Sequence, residues 1–268
     1  MESSVGEKGA NLQKIDSVLR GREADLALFG ELYVPGYMAR DQHTNLAEDL
    51  EGGAVRELRR MASEFHTALI VGMGVRNLNS RVISNCAVFV SPEGALSVYA
   101  KIHLANFGPF EEGLYFSAGK DLVLLEHRGV RLGLMVCYDL FFPELARAYA
   151  LAGADAFAVI SATPATSKPL FDRILPARAV ENTSYVLYAN LVGTQLNMVF
   201  QGGSQAIGPR GETLVSAPDF QEAVIEVEIS HHDVQVARNL RPTVRDARAE
   251  TMQLLHRAYE NRPKLDNP

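Results

Sequence analysis

Arg131-Leu132-Gly133-Leu134-Met135-Val136-Cys137-Tyr138-Asp139-Leu140-Phe141-Phe142-Pro143-Glu144 changes character twice along its length. It opens as an apolar run of strand length and breaks at Cys137, Tyr138 and Asp139. Pro143 and Glu144 then open a helical run from Leu145 to Leu151. Proline is favoured in a first helical turn because its missing N–H would be unpaired there anyway. Gly153 is a natural stop for that helix. The stretch therefore places a lone cysteine where a strand ends and a helix begins. Free backbone N–H groups and the helix dipole favour an anion at such a junction, so a thiolate is expected to form more easily there. The commoner fate of a free cysteine is burial as a small, inert hydrophobe. The rest of the chain has to decide between the two.

The chain has 268 residues, 47% of them hydrophobic, which is enough for one large layered domain. Its net charge is −6, so it lacks the basic surplus of a nucleic-acid binder. Cys86 and Cys137 are the only cysteines. Two cysteines make no disulfide framework, and no CxxC or clustered His/Cys spacing points to zinc. A reducing, cytoplasmic setting is expected. No apolar stretch approaches the ~20 residues that span a bilayer. The polar start Met1-Glu2-Ser3-Ser4-Val5-Gly6-Glu7-Lys8 lacks a signal peptide's apolar core.

Strand-like and helix-like segments alternate along the chain. Helices are expected at about 8–20, 49–66, 171–183 (interrupted by Pro176) and 245–259. Leu50, Val55, Leu58, Met61 and Phe65 supply the helical spacing of the second. Strands are expected at 25–29, 68–75, 84–90, 96–100, 122–126, 130–136, 156–160, 185–191, 203–207, 212–215 and 222–229. Hairpin turns are read at Pro92-Glu93-Gly94, His127-Arg128-Gly129 and Gly208-Pro209-Arg210-Gly211. Hairpins mixed with strand–helix units imply a layered α/β domain whose sheets are not purely parallel. No repeat or linker divides 1–268, so a single domain is expected.

A cysteine nucleophile needs a base, and acyl transfer needs donors for an oxyanion. Histidine is the usual base. Among the seven histidines, only His103 is a reasonable candidate, and a structural role in its loop fits as well. Carboxylates are better placed. Glu31 follows the apolar run Leu26-Ala27-Leu28-Phe29-Gly30, and Lys101 follows Leu96 to Ala100. Both sit just past strand ends, as Cys137 does, and active sites of α/β folds gather at that edge. Either residue alone would more often be a solvated surface charge.

Three motifs carry a resemblance: Gly30-Glu31-Leu32-Tyr33-Val34-Pro35-Gly36-Tyr37, Lys101-Ile102-His103-Leu104, and Cys137-Tyr138-Asp139 running through Pro143-Glu144 to Arg147. Glu112-Gly113-Leu114-Tyr115, Ala179-Val180-Glu181-Asn182, Ala189-Asn190 and Gly202-Gly203-Ser204-Gln205-Ala206 add to it. Together they resemble the carbon–nitrogen hydrolases of the nitrilase superfamily, from about Gly6 to Arg248. The resemblance implies a four-layer αββα sandwich with two mixed sheets. It implies a Glu31–Lys101–Cys137 triad supported by Glu112, with the Tyr138 N–H as a second oxyanion donor. No metal or organic cofactor is expected. Three departures stand out. Met1 falls where the family's first strand would end, so that strand is expected to be missing. Gly30 replaces a usual Pro. Ser161-Ala162-Thr163-Pro164 stands where many members carry a Trp-containing loop.

The expected activity is hydrolysis of a small carboxamide to carboxylic acid and ammonia through a thioester. Cys-Tyr-Asp resembles the amidase-like branches, whereas the nitrile-cleaving branch tends to carry Cys-Trp-Glu. An N-carbamoyl amine or amino-acid hydrolase is the alternative, with Arg173 or Arg178 holding a substrate carboxylate, followed by a nitrilase. A catalytically silent binding or assembly protein is the non-enzymatic reading. A cysteine enzyme outside the family would instead need a histidine beside Cys137. Phe110, Tyr115, Phe142, Thr163 and Phe171 are candidate pocket walls. The partners expected are a small-molecule amide and a second copy of the chain. That copy would pair through 143–151, 171–183, Val234 to Leu240 and the last helix, with no nucleic acid and no membrane.

Overall fold

The computed structural model describes residues 1–77 and 82–263. The chain runs through α1 (Lys8–Leu19), β1 (Leu26–Leu28), the one-turn α2 (His43–Leu46) and α3 (Gly53–Phe65). Then come β2 (Ala68–Arg76), β3 (Ile83–Val90), β4 (Leu96–Ala100), the short α4 (Glu112–Tyr115), β5 (Leu124–His127) and β6 (Val130–Val136). A 3-10 turn over Cys137–Phe141 leads to α5 (Pro143–Leu151), β7 (Ala156–Ser161), α6 (Lys168–Asn182) and β8 (Tyr185–Asn190). The hairpin β9 (Val192–Gln195) and β10 (Met198–Gln201) precedes β11 (Gln205–Ile207), β12 (Thr213–Ser216), α7 (His231–Leu240) and α8 (Ala249–Glu260).

Two mixed sheets result. The first has order β1-β2-β3-β4, parallel at β1–β2 and antiparallel elsewhere. The second has order β12-β11-β8-β7-β6-β5, with parallel pairs β6–β7 and β7–β8 at its centre. The strand period of two sorts the side chains into layers. In β2, Leu69, Val71 and Met73 pack with Val55, Leu58 and Met61 of α3, while Ala68 and Ile70 point the other way. Ala68 and Ile70 meet Leu132, Leu134 and Val136 of β6 and Ala156, Ala158 and Ile160 of β7 between the sheets. The far face of β6 and β7 offers Met135, Phe157 and Val159 to Leu145 and Tyr149 of α5 and to Phe171, Leu175 and Ala179 of α6. The order of layers is thus helix, sheet, sheet, helix. Helices cover both outer faces, so β2 and β7 read as nearly unbroken apolar runs rather than alternating ones.

Two expectations give way, and one helix was not foreseen. Pro176 does not interrupt α6, which is continuous from Lys168 to Asn182. One lost helical hydrogen bond is outweighed there by the burial of Phe171, Leu175 and Ala179. Residues 222–229 alternate in polarity but form no strand. Periodicity marks an apolar face, whereas a strand also needs a ladder partner. A cleft of about 880 Å³ separates Ala223–Ile229 from β1, the end strand of the first sheet. The segment after Ser230, for which the sequence suggested no element, is helix α7. It is capped by the Ser230 hydroxyl, which accepts from the Asp233 N–H. Among the described residues no helix is long and apolar enough to cross a membrane.

Candidate active site

β6 ends at Val136, and the chain turns sharply at Cys137, whose φ is +47°. A left-handed backbone at a non-glycine residue stores strain and needs support. Asp139 supplies it. Its buried carboxylate accepts from the Val136 N–H at 3.1 Å, the His103 N–H at 2.9 Å and the Tyr99 hydroxyl at 2.8 Å. His103 also meets Asp139 through Nδ1 at 3.0 Å and stacks on the Phe142 ring at 3.5 Å. The turn carrying the cysteine is thereby fixed to the loop that follows β4.

That loop begins with Lys101, fully buried, whose N–H donates to the Asn85 carbonyl at 2.8 Å. The Lys101 ammonium donates to Glu31 Oε1 and to Glu112 Oε1, both at 2.7 Å. The remaining carboxylate positions are also occupied. The Glu31 oxygens accept from Asn85 Nδ2 at 2.7 Å and the Ala162 N–H at 3.0 Å. The Glu112 oxygens accept from the Tyr37 hydroxyl at 2.7 Å and the Ala105 N–H at 3.1 Å. Glu31 reaches this place because its segment presses directly on β2. A Cβ on Gly72 would lie 2.3 Å from the Leu32 nitrogen, so only glycine admits the approach. Gly30 similarly leaves room for the Leu191 side chain.

Burial and charge set the protonation states. Burial works against the charged form of Lys101, but Glu31 and Glu112 outweigh it and hold the ammonium charged. Burial raises the Glu31 carboxyl above the usual range. Lys101 opposes that rise and Glu112 adds to it. The Cys137 thiol is pushed up to about 12, first by burial and then by the Glu31 charge, with Lys101 pulling against them. The expected ease of thiolate formation is therefore overturned for the resting state. The cysteine sits in a 3-10 turn, α5 begins only at Pro143, and desolvation dominates. A thiol beside a carboxylate of raised basicity suits transfer of its proton at the moment of attack. The groups with the largest influence on Cys137 are Glu31, Lys101, Ser161 and Glu112, and no histidine is among them.

Lys101 thus bridges Glu31 and Glu112, and all three act on the Cys137 thiol. Thr163 is fully buried and bonded to Ser161 and Tyr188. Phe110 meets Tyr37 edge-on at 6.3 Å and Phe107 at 5.4 Å, and Phe107 in turn meets the Tyr138 ring at 4.8 Å. Phe171 lies between Phe141 and Tyr188. Phe142 is engaged by His103, and Tyr115 packs on His43 and Phe116. Arg178 donates to the Leu140 and Phe141 carbonyls and to Glu181, so its guanidinium is already engaged by this chain. Arg173 donates to the Pro169 carbonyl on an exposed helix turn. Sequence reasoning missed Tyr37, Asn85, Asp139 as an anchor, Ser161 and Tyr188. Tyr37 and Asp139 stood inside the quoted motifs, whereas Asn85, Ser161 and Tyr188 lie on strands whose apolar pattern hides them. Among the described residues, no group of three or more His, Cys, Asp or Glu could hold a metal ion.

The profile of the Carbon-nitrogen hydrolase family matches residues 1–239. The chain belongs to that family. Among its relatives in the nitrilase superfamily are the probable nitrilase C965.09 of Schizosaccharomyces pombe and the omega-amidase YafV of Escherichia coli K12. The first is 32% identical over 236 residues, covering 85% of each chain. The second is 32% identical over 240 residues, covering 89% of this chain and 90% of that one. A double mutant of the amidase from Nesterenkonia sp. AN1 in complex with acrylamide has the same fold. It is 28% identical, with a TM-score of 0.80 over 96% of this chain and 94% of that one. This carbon–nitrogen hydrolase therefore stands among relatives named for amide and for nitrile chemistry alike.

Proposed function

We propose that the protein is an amidase that converts a small carboxamide to carboxylic acid and ammonia through a thioester on Cys137. The observation that carries this reading is the Lys101 ammonium held 2.7 Å from each of two buried carboxylates beside the half-buried thiol of Cys137. Cys137 Sγ attacks the amide carbon while its proton passes to Glu31. The carbonyl oxygen becomes an oxyanion facing Lys101 and the Tyr138 N–H, which stabilise charge that exists only after attack. Glu31 returns the proton to the leaving nitrogen, and ammonia departs. Glu31 then takes a proton from water, the hydroxide attacks the thioester, and the acid leaves with the thiol restored. Glu112 holds Lys101 charged and oriented.

An amide is favoured over an N-carbamoyl amino acid because Arg178 is spent on backbone carbonyls. It is favoured over a nitrile by Cys-Tyr-Asp and by the acrylamide bound to the AN1 relative. Phe110 is assigned to the wall of the substrate site; Thr163, expected there from the sequence, is instead fully buried and bonded to Ser161 and Tyr188. The unpaired thiols fit a reducing cytoplasm. A homodimer is proposed from α8, which buries no residue on its own chain and exposes Met252, Leu254, Leu255 and Tyr259. Ammonia release from small aliphatic amides, nitriles and N-carbamoyl amino acids tests the reading. Release from amides alone supports it. Release only from nitriles or carbamoyl compounds reassigns the substrate, and silence from folded protein favours a binding role.

A further inference from the structure

β3 sets Asn85 on the face it shares with Ala87 and Phe89, which packs between the two sheets. Cys137 packs against the same cluster. Asn85 is fully buried. Its neighbour in β2 is Gly74, and on its other side its backbone carbonyl accepts from the Lys101 N–H at 2.8 Å. Its side-chain amide meets Glu31 Oε1, with Nδ2 donating at 2.7 Å. That oxygen also accepts from the Lys101 ammonium at 2.7 Å, and a carboxylate oxygen only accepts. The amide is thereby oriented, and Oδ1 stands within about 5 Å of Glu31 Oε1. Oδ1 accepts no hydrogen bond from the described residues. Among their buried side-chain atoms left without a partner, it alone belongs to a group that touches Glu31 or Glu112. An unpaired buried acceptor is costly and calls for a reason.

Glu31 serves a group that carries more hydrogens than one carboxylate can take. The departing nitrogen leaves as ammonia, and the water that replaces it brings two hydrogens. One hydrogen passes between that group and Glu31. A second needs an acceptor close by. Glu31 already takes Lys101, Asn85 and the Ala162 N–H, which leaves it one position, for the reacting proton itself. Glu112 is held by Lys101, Tyr37 and the Ala105 N–H. We propose that Asn85 Oδ1 accepts the second hydrogen, first from the departing nitrogen and then from the hydrolytic water, and so holds each of them against Glu31. In the first half the C–N bond breaks as nitrogen takes the proton from Glu31, and an N–H it already carries points to Oδ1. In the second half the water oxygen bonds to the thioester carbon while Glu31 takes one hydrogen. The other hydrogen stays on that oxygen, points to Oδ1 and leaves with the acid. The C–S bond breaks, and sulfur takes the proton back from Glu31. The inference rests on the reading of Cys137 as nucleophile and Glu31 as its base.

The experiment compares Asn85→Leu with wild type on a small aliphatic amide and on p-nitrophenyl acetate. Nitrophenolate departs from the ester without a proton and carries no hydrogen to accept, so kcat/KM on the ester reports a step that does not use Oδ1. Because nitrophenolate departs readily, kcat on the ester reports hydrolysis of the acyl-enzyme by water, which does use it. Both proteins are assayed above their acid limbs, so that loss of the Nδ2 donor leaves the charge on Glu31 unchanged. Losing one hydrogen bond at the reacting group is expected to cost about three- to tenfold. Asn85→Leu should lower kcat/KM on the amide and kcat on the ester by that factor, with kcat/KM on the ester unmoved. A merely structural role predicts otherwise, since a displaced Glu31 slows attack by Cys137 on both substrates alike. Asn85→Asp keeps the shape and remains informative if Asn85→Leu folds poorly. Beside Glu31 its carboxyl retains a proton in mild acid, donates it where Nδ2 did and leaves a bare oxygen at the Oδ1 position. Its kcat on the ester should then stay within about twofold of wild type at the same pH. Equal losses in kcat/KM on the two substrates, an unchanged ester kcat in Asn85→Leu, or a loss of about tenfold in Asn85→Asp overturns the assignment. The expected ester kinetics in a protein that hydrolyses no amide overturn the amidase reading alone.

Discussion

Replacing Lys101 by Met keeps most of the volume and removes the cation that bridges two buried carboxylates. At 2.7 Å and an effective dielectric of about 20, each ion pair carries about 6 kcal/mol of attraction. Burying the ions costs several kcal/mol apiece, so the network is close to balanced while intact. Breaking it is different, because the partner charges stay buried without compensation, at a cost of about 3–5 kcal/mol. That cost has a pH dependence of definite sign. Lys101 is the strongest influence holding the Glu31 carboxyl down against burial, so its loss lets Glu31 rise further above its unfolded value. A carboxyl raised in the folded state favours folding below its unfolded pKa, and the advantage is lost as pH rises through the folded value. Lys101→Met should thus lie nearest to wild type in mild acid and fall furthest behind at neutral and alkaline pH. Urea unfolding of both proteins at a series of pH values measures the difference directly. A deficit below 1 kcal/mol at neutral pH, or one that does not vary with pH, would refute the charge accounting.

Other expectations follow from the same geometry. The acid limb of kcat/KM on an amide should sit above the ordinary glutamate range, because Glu31 must be deprotonated to act and burial raises it; a limb at or below the free carboxylate value contradicts its assignment. Asp139→Asn replaces one acceptor oxygen by a donor facing Val136, His103 or Tyr99, and should cost about 1–3 kcal/mol in chemical denaturation with a larger loss in kcat than in KM. Gly72→Ala forces a Cβ against the backbone that presents Glu31; a loss of at least 1–3 kcal/mol is expected, and wild-type stability would mean that the approach is looser than the structure has it.

The layers were legible because the two faces of β2 and β7 are both covered, and their apolar runs are long enough to be unambiguous. Glu31, Lys101 and Cys137 stood out as candidates because each follows such a run and breaks it with a charge or a thiol, and the motif resemblance grouped them. The supporting groups were not. Asn85 and Ser161 each occupy one position on a buried strand, where sequence shows a small polar residue and no partner. Tyr188 reads as one more core aromatic until its hydroxyl is seen on Thr163. Residues 222–229 carried a true strand pattern, and what defeated the expectation was the cleft beside β1. The reading of a thiolate-friendly junction failed because it weighed backbone dipoles and left out desolvation, which only the folded structure supplies. Pro176 misled for a related reason, since the packing of α6 overrides a local breaker.

The most direct test of the central claim is mass spectrometry of wild-type protein quenched in acid during amide turnover, beside Cys137→Ala. The account predicts an acyl mass on the peptide containing Cys137, and a folded variant that carries no adduct and releases no ammonia. Turnover retained in Cys137→Ala, or an acyl group on any other residue, would contradict it.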